Sequence, residues 1–132
     1  MRVLIVDDHR LFGELLMAGL SEDERLEIVG IAATGKEAVE LVEQLSPHIV
    51  LMDLAMPIMD GFEATRRIAE IAPSTQVLVL TGETSVDATA AREAGAAGFI
   101  RKSDSLADLR ESFFAVAGLT LAMADAQRAA AH

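Results

Sequence analysis

Short apolar runs alternate with helical patterns along this chain, and four of the runs end on residues able to handle phosphate. Val3–Val6 is followed by Asp7-Asp8, Ile49–Met52 by Asp53, Val77–Leu80 by Thr81, and Gly98–Ile100 by Arg101-Lys102. Short apolar runs set between helical stretches read as buried parallel strands. An open parallel sheet binds ligands beyond the carboxyl ends of its strands, where the strand order reverses. Three carboxylates, a hydroxyl and an ammonium are therefore expected to meet in one pocket, although the first and last lie far apart in the chain.

The pattern predicts five strand–helix units. Strands are expected over Arg2–Val6, Glu27–Ala32, His48–Met52, Gln76–Leu80 and Gly98–Arg101. Helices are expected over Arg10–Leu20, Lys36–Leu45, Phe62–Ile71, Ser85–Ala94 and Ser105–Ala117. The first helix presents Phe12, Leu15, Leu16, Gly19 and Leu20 on one face, and the last carries the stripe Leu106, Leu109, Phe113, Val116. The third strand is the purest apolar run and is expected at the centre. The second ends on Ala33-Thr34-Gly35, without a reactive group, as suits a strand away from the switch point. Pro57 and Gly61 mark a turn between the third strand and its helix.

Composition narrows the function. The formal net charge is −10, with 11 Lys+Arg against 21 Asp+Glu and no Tyr or Trp. Nucleic-acid binding draws on basic side chains that neutralise phosphates, so direct binding by these residues is not expected. The absence of cysteine excludes disulfides, thiolate metal sites and cysteine nucleophiles. No apolar run reaches a membrane-spanning length, and the N-terminal one is too short for a signal peptide, so a cytoplasmic location is expected.

Asp7, Asp8 and Asp53 held together repel one another; two like charges about 4 Å apart cost about 4 kcal/mol at an effective dielectric of about 20. Either one carboxyl stays protonated or a cation fills the site. An all-oxygen donor set points to a hard divalent ion, Mg²⁺ above others, with Mn²⁺ as a substitute. Asp53, alone at the end of its strand, is the candidate nucleophile, since carboxylates attack phosphorus to give aspartyl phosphates. Lys102 can neutralise charge on the transferring group, and the Thr81 hydroxyl can hydrogen-bond a phosphoryl oxygen.

Together, Asp7-Asp8, the segment Val50-Leu51-Met52-Asp53-Leu54-Ala55-Met56-Pro57-Ile58-Met59-Asp60-Gly61, Thr81 and Gly95-Ala96-Ala97-Gly98-Phe99-Ile100-Arg101-Lys102 resemble the receiver domain of two-component response regulators. The Asp-Asp-His start and the Met-Pro-x-Met-Asp-Gly loop are most similar to the NarL/FixJ subfamily. The resemblance covers about residues 1–118. It implies a flavodoxin-like (βα)5 fold, a doubly wound α/β domain with parallel strand order 2-1-3-4-5. It implies that Asp53 accepts phosphate from a histidine kinase. Asp8, Asp53 and the backbone carbonyl of Ala55 would hold Mg²⁺, with Asp7 acting through water, while Lys102 contacts the phosphoryl group. Thr81 and Phe99 would form a switch pair. The chain would then catalyse only its own phosphorylation and dephosphorylation, and a homodimer is among the partners implied.

Residues 119–132 are read as a linker, which favours an excised input half, its DNA-binding output domain missing, over a single-domain regulator. Two alternatives remain. One is a Mg²⁺-dependent phosphatase with an aspartyl nucleophile, although Ala55 stands where such enzymes carry a second acid. The other is a receiver-like module regulated without phosphorylation. Plainer roles also exist: helix capping for Asp7 or Asp8, core packing for Phe99 and for Met52, Met56 and Met59, a water-facing position for His9, a structural one for His48, and weak interface positions for Phe114 and Met17.

Overall fold

The computed structural model describes residues 1–54, 58–81, 85–101 and 107–118, with the backbone alone described for 58–60, 81 and 85–88. Five strands form one parallel sheet: β1 (Arg2–Val6), β2 (Glu27–Ala32), β3 (Ile49–Asp53), β4 (Gln76–Thr81) and β5 (Gly98–Arg101). Between them run α1 (Arg10–Ser21), α2 (Gly35–Leu45), α3 (Ile58–Ile71) and α4 (Ser85–Glu93), and α5 covers 107–118. The strand order is β2-β1-β3-β4-β5, the flavodoxin-like order, with β3 in the centre.

Strand alternation sends successive side chains to opposite faces, so one five-residue strand feeds two cores. Leu4, Val6, Val50, Met52, Val77 and Val79 pack with Ala38 and Val42 of α2, Ala64 and Ile68 of α3, and Ala91 of α4. Val3, Ile5, Ile49, Leu51, Leu78, Leu80 and Ile100 pack with Leu16 and Leu20 of α1 and with Leu109, Phe113 and Ala117 of α5. Burial on both faces explains why the central strands are apolar without a break.

Local signals set the helix ends. Thr34 caps α2, its hydroxyl accepting the Glu37 N–H at 3.1 Å, and Ser46 closes it in the left-handed region at φ 47°. α3 starts at Ile58 rather than at the expected Phe62. Gly61 is buried inside the helix rather than in a turn. The Thr65 hydroxyl donates to the Gly61 carbonyl at 2.9 Å. α1 buries Gly13, Leu16, Gly19 and Leu20, but Leu15 is 50% exposed. Phe114, off the expected stripe of α5, is half-buried beneath the Arg25 guanidinium, 4.8 Å from the ring centre. Among the described residues no helix is long and apolar enough to cross a membrane.

Candidate functional site

β1 has β2 on one side and β3 on the other, and the crossover from β1 to β2 runs one way along the sheet while that from β3 to β4 runs the other. The crevice this opens lies past the carboxyl ends of β1 and β3. Register decides what arrives there. Val6 pairs with Met52, so Asp7 and Asp53 leave their strands at the same level. Asp53 pairs with Leu80, which puts Thr81 one residue further along, and Thr81 pairs with Arg101, the residue before Lys102. Asp7, Asp53, Thr81 and Arg101 thus stand at the ends of four adjacent strands.

Backbone hydrogen bonds hold this level. The Asp7 N–H donates to the Ala32 carbonyl at 2.9 Å, extending the β1–β2 ladder. The Leu54 N–H donates to the Leu80 carbonyl at 2.9 Å, extending the ladder between β3 and β4. Asp7 and Asp53 are buried, at 1% and 0% exposure, whereas the side chain of Asp8 is 38% exposed. Two buried carboxylates at one sheet end are costly as anions unless a cation or hydrogen-bond donors meet them.

Part of that compensation is local. The His9 N–H donates to Asp7 Oδ1 at 2.7 Å, a short charge-assisted bond that turns the chain into α1. His9, not Asp7 or Asp8, is the N-cap of α1. Its imidazole Nδ1 stands 3.0 Å from Asp8 Oδ1 and 3.6 Å from Asp7 Oδ1. One donor atom from each of Asp7, Asp8 and His9 falls within 4.8 Å of the others. The expectation of a water-facing His9 is therefore incomplete. Its side chain is 66% exposed and yet belongs to the acidic cluster. The available sequence signal was its position directly after the acidic pair, at a helix start.

Phe99 pairs with Val79 on β5 and is half-buried against the α2–α3–α4 core, under the Arg92 guanidinium of α4. The backbone of Thr81 closes β4, while its side chain, Ala55 and Lys102 lie outside the described residues, as do the Met56-Pro57 turn, Leu106 and the 119–132 tail. His48, at the opposite end of the sheet, accepts the Arg2 N–H on Nδ1 at 2.9 Å, a structural role. The donor set fits a divalent cation. Asp7 and Asp8 bring carboxylate oxygens, with the His9 nitrogen, to within 4.8 Å of one another, and Asp53 ends the neighbouring strand at the level of Asp7; carboxylate oxygen is the ligand type that Mg²⁺ takes.

Residues 3–114 match the family model described as the response regulator receiver domain. The chain is 42% identical over 104 residues to protein-glutamate methylesterase/protein-glutamine glutaminase 2 of Photobacterium profundum, covering 76% of this chain and 26% of that protein. It is 37% identical over 112 residues to the transcriptional regulatory protein LiaR of Bacillus subtilis, covering 84% of this chain and 53% of that protein. It spans between about a quarter and about half of the length of these relatives. Among solved structures, a LuxR-family two-component response regulator from Aurantimonas sp. SI85-9A1 superposes with a TM-score of 0.79 at 35% identity, covering 89% of this chain and 85% of that one. With its strand order, its acidic strand ends and this match over most of its length, the chain belongs to the response regulator receiver family.

Proposed function

We propose that this chain is a phosphoacceptor switch in which Asp53 takes a phosphoryl group from a phosphohistidine of a partner kinase. The observation that carries the reading is the register of β1, β3 and β4, which sets buried Asp53 level with Asp7 at the switch point of the sheet. A carboxylate oxygen of Asp53 attacks phosphorus, the bond from phosphorus to the donor imidazole nitrogen breaks, and the imidazole leaves with the electron pair. Asp8, Asp53 and the Ala55 carbonyl are the residues to hold Mg²⁺, with Asp7 acting through water. When bound, the ion neutralises charge on the transferring oxygens. Lys102 does the same from the end of β5. The Thr81 hydroxyl bonds a phosphoryl oxygen afterwards, and Phe99 follows it as the second member of the switch pair. Phosphate shifts the conformational balance only by interacting differently with the two states.

Residues 1–118 form the receiver and 119–132 the linker to an output domain in a longer, cytoplasmic protein. A DNA-binding output is favoured by the coverage of LiaR, about half of which this chain spans. A methylesterase output is the competing reading, supported by the other relative. A homodimer is a further expected assembly.

The test is incubation with Mg²⁺ and acetyl phosphate, with intact-mass detection of the adduct. The wild type gains one phosphoryl group and Asp53→Asn gains none while keeping its fold. Stoichiometric labelling of Asp53→Asn removes Asp53 from the role.

A further inference from the structure

The acidic end of β1 contains a nitrogen that the phosphotransfer chemistry leaves unused. His9 follows Asp8 directly, and its main chain is tied down by the bond from its N–H to Asp7 Oδ1. Its ring is thereby held over the carboxylates, with Nδ1 3.0 Å from Asp8 Oδ1 and 3.6 Å from Asp7 Oδ1. Metal–ligand bonds of about 2.1 Å put neighbouring donors about 3.0 Å apart in an octahedral shell and about 3.4 Å apart in a tetrahedral one. The two separations at His9 are therefore close to the edges of a coordination polyhedron. Imidazole nitrogen favours borderline transition ions, whereas carboxylates and water suit Mg²⁺.

We infer that His9 sets the ion preference of this pocket. Its Nδ1 joins the Asp7 and Asp8 oxygens around a borderline divalent ion of the Co²⁺ or Zn²⁺ class and adds nothing for Mg²⁺. The inference rests on the acidic pocket being the cation site of the proposed phosphotransfer. It makes His9 a specificity-determining residue: Mg²⁺ takes Asp8 directly and Asp7 through water, whereas the transition ion takes both carboxylates together with the His9 nitrogen. Its side chain is 66% exposed and makes no side-chain cap bond to α1, and its Nδ1 faces Asp8 alone at hydrogen-bonding distance, a contact that an ion lying between the two would replace. The other described histidine does not compete, since His48 sits at the far end of β3 with Nδ1 engaged by Arg2.

The test uses the full 132-residue chain, titrated calorimetrically with Mg²⁺ and separately with Co²⁺, whose visible absorption reports nitrogen coordination. His9→Phe keeps the ring and removes the nitrogen; His9→Asn keeps a polar group of similar reach without an imidazole. Both variants are expected to bind Co²⁺ about tenfold more weakly than the wild type, to lose the nitrogen-dependent absorption, and to bind Mg²⁺ within about twofold of it. Metal-free thermal melts of all three proteins check that the fold is intact. Unchanged Co²⁺ affinity overturns the inference. A parallel fall for both ions also overturns it, by making His9 a structural support, and a parallel rise does so by making it a competing positive charge. Failure of the wild type to bind Mg²⁺ removes the cation site and this inference with it. Mg²⁺ binding with normal Asp53 labelling, but with Co²⁺ indifferent to His9, removes this inference alone.

Discussion

The guanidinium of Arg92 lies 5.1 Å from the centre of the Phe99 ring, joining α4 to the edge strand β5. Among the described side chains of α4 the buried one is Ala91, in the core against which Phe99 packs. An exposed cation–π contact is worth about 0.5–1 kcal/mol. Arg92→Ala is expected to lower unfolding stability by about that amount in urea titrations. Amide exchange should rise in α4 and not in α2. An unchanged exchange pattern would mean that α4 is held by other contacts.

Gly95 turns the chain between α4 and β5 at φ 111°, and a Cβ there would meet the Ala69 Cβ at 2.8 Å. Strained backbone and a steric clash then act together. Gly95→Ala is expected to destabilise by about 2–3 kcal/mol. Adding Ala69→Gly removes the clash but leaves the strain, so the double variant should recover part of the loss and no more. Full recovery in denaturant titrations would show that the backbone angle costs nothing.

Ser46 adopts φ 47° and ψ 57° at the carboxyl end of α2, where its N–H donates to the Val42 carbonyl at 3.0 Å. Among the described residues it is the non-glycine with positive φ. Ser46→Gly removes the Cβ penalty while keeping the main-chain bond. A gain of about 0.5–1 kcal/mol is expected. A loss in melting temperature would refute this.

The Arg25 side chain hydrogen-bonds Asp23, at 2.9 and 2.7 Å, and lowers the Asp23 carboxyl from its ordinary 3.8 to about 2. A depressed acid stabilises the fold above its unfolded pKa, and that contribution is lost as pH falls through the folded one. The stabilisation from this pair is therefore complete above about pH 4 and disappears toward about pH 2. Asp23→Asn should show a flatter stability profile across that window in acid titrations of unfolding. Because the pair is at the surface, the difference should shrink in high salt.

Much of this molecule was written in its local pattern. β1, β2 and β5 have the bounds expected from the sequence, and the central strands read as apolar runs because a strand buried on both faces tolerates few polar residues inside it. The reactive strand ends were legible for the same reason, since Asp7 breaks one such run and Asp53 another. β3 nevertheless extends to Asp53 and β4 to Thr81, because ladder pairing continues past the last apolar residue.

What periodicity could not supply was the width and neighbours of each face. The 3.6-residue repeat placed Leu15 inside and said nothing of Gly13, yet Gly13 is buried and Leu15 half-exposed. A Cβ at Gly13 would stand 3.4 Å from an Ile31 methyl, so β2 packs close on that side of α1. The seating of Arg92 over Phe99 was equally invisible. The chain alone determined which residues alternate and where runs stop, through local sterics and burial. Register, strand order and the packing of helices on two faces decided which distant groups meet, because those contacts depend on residues that no local window contains.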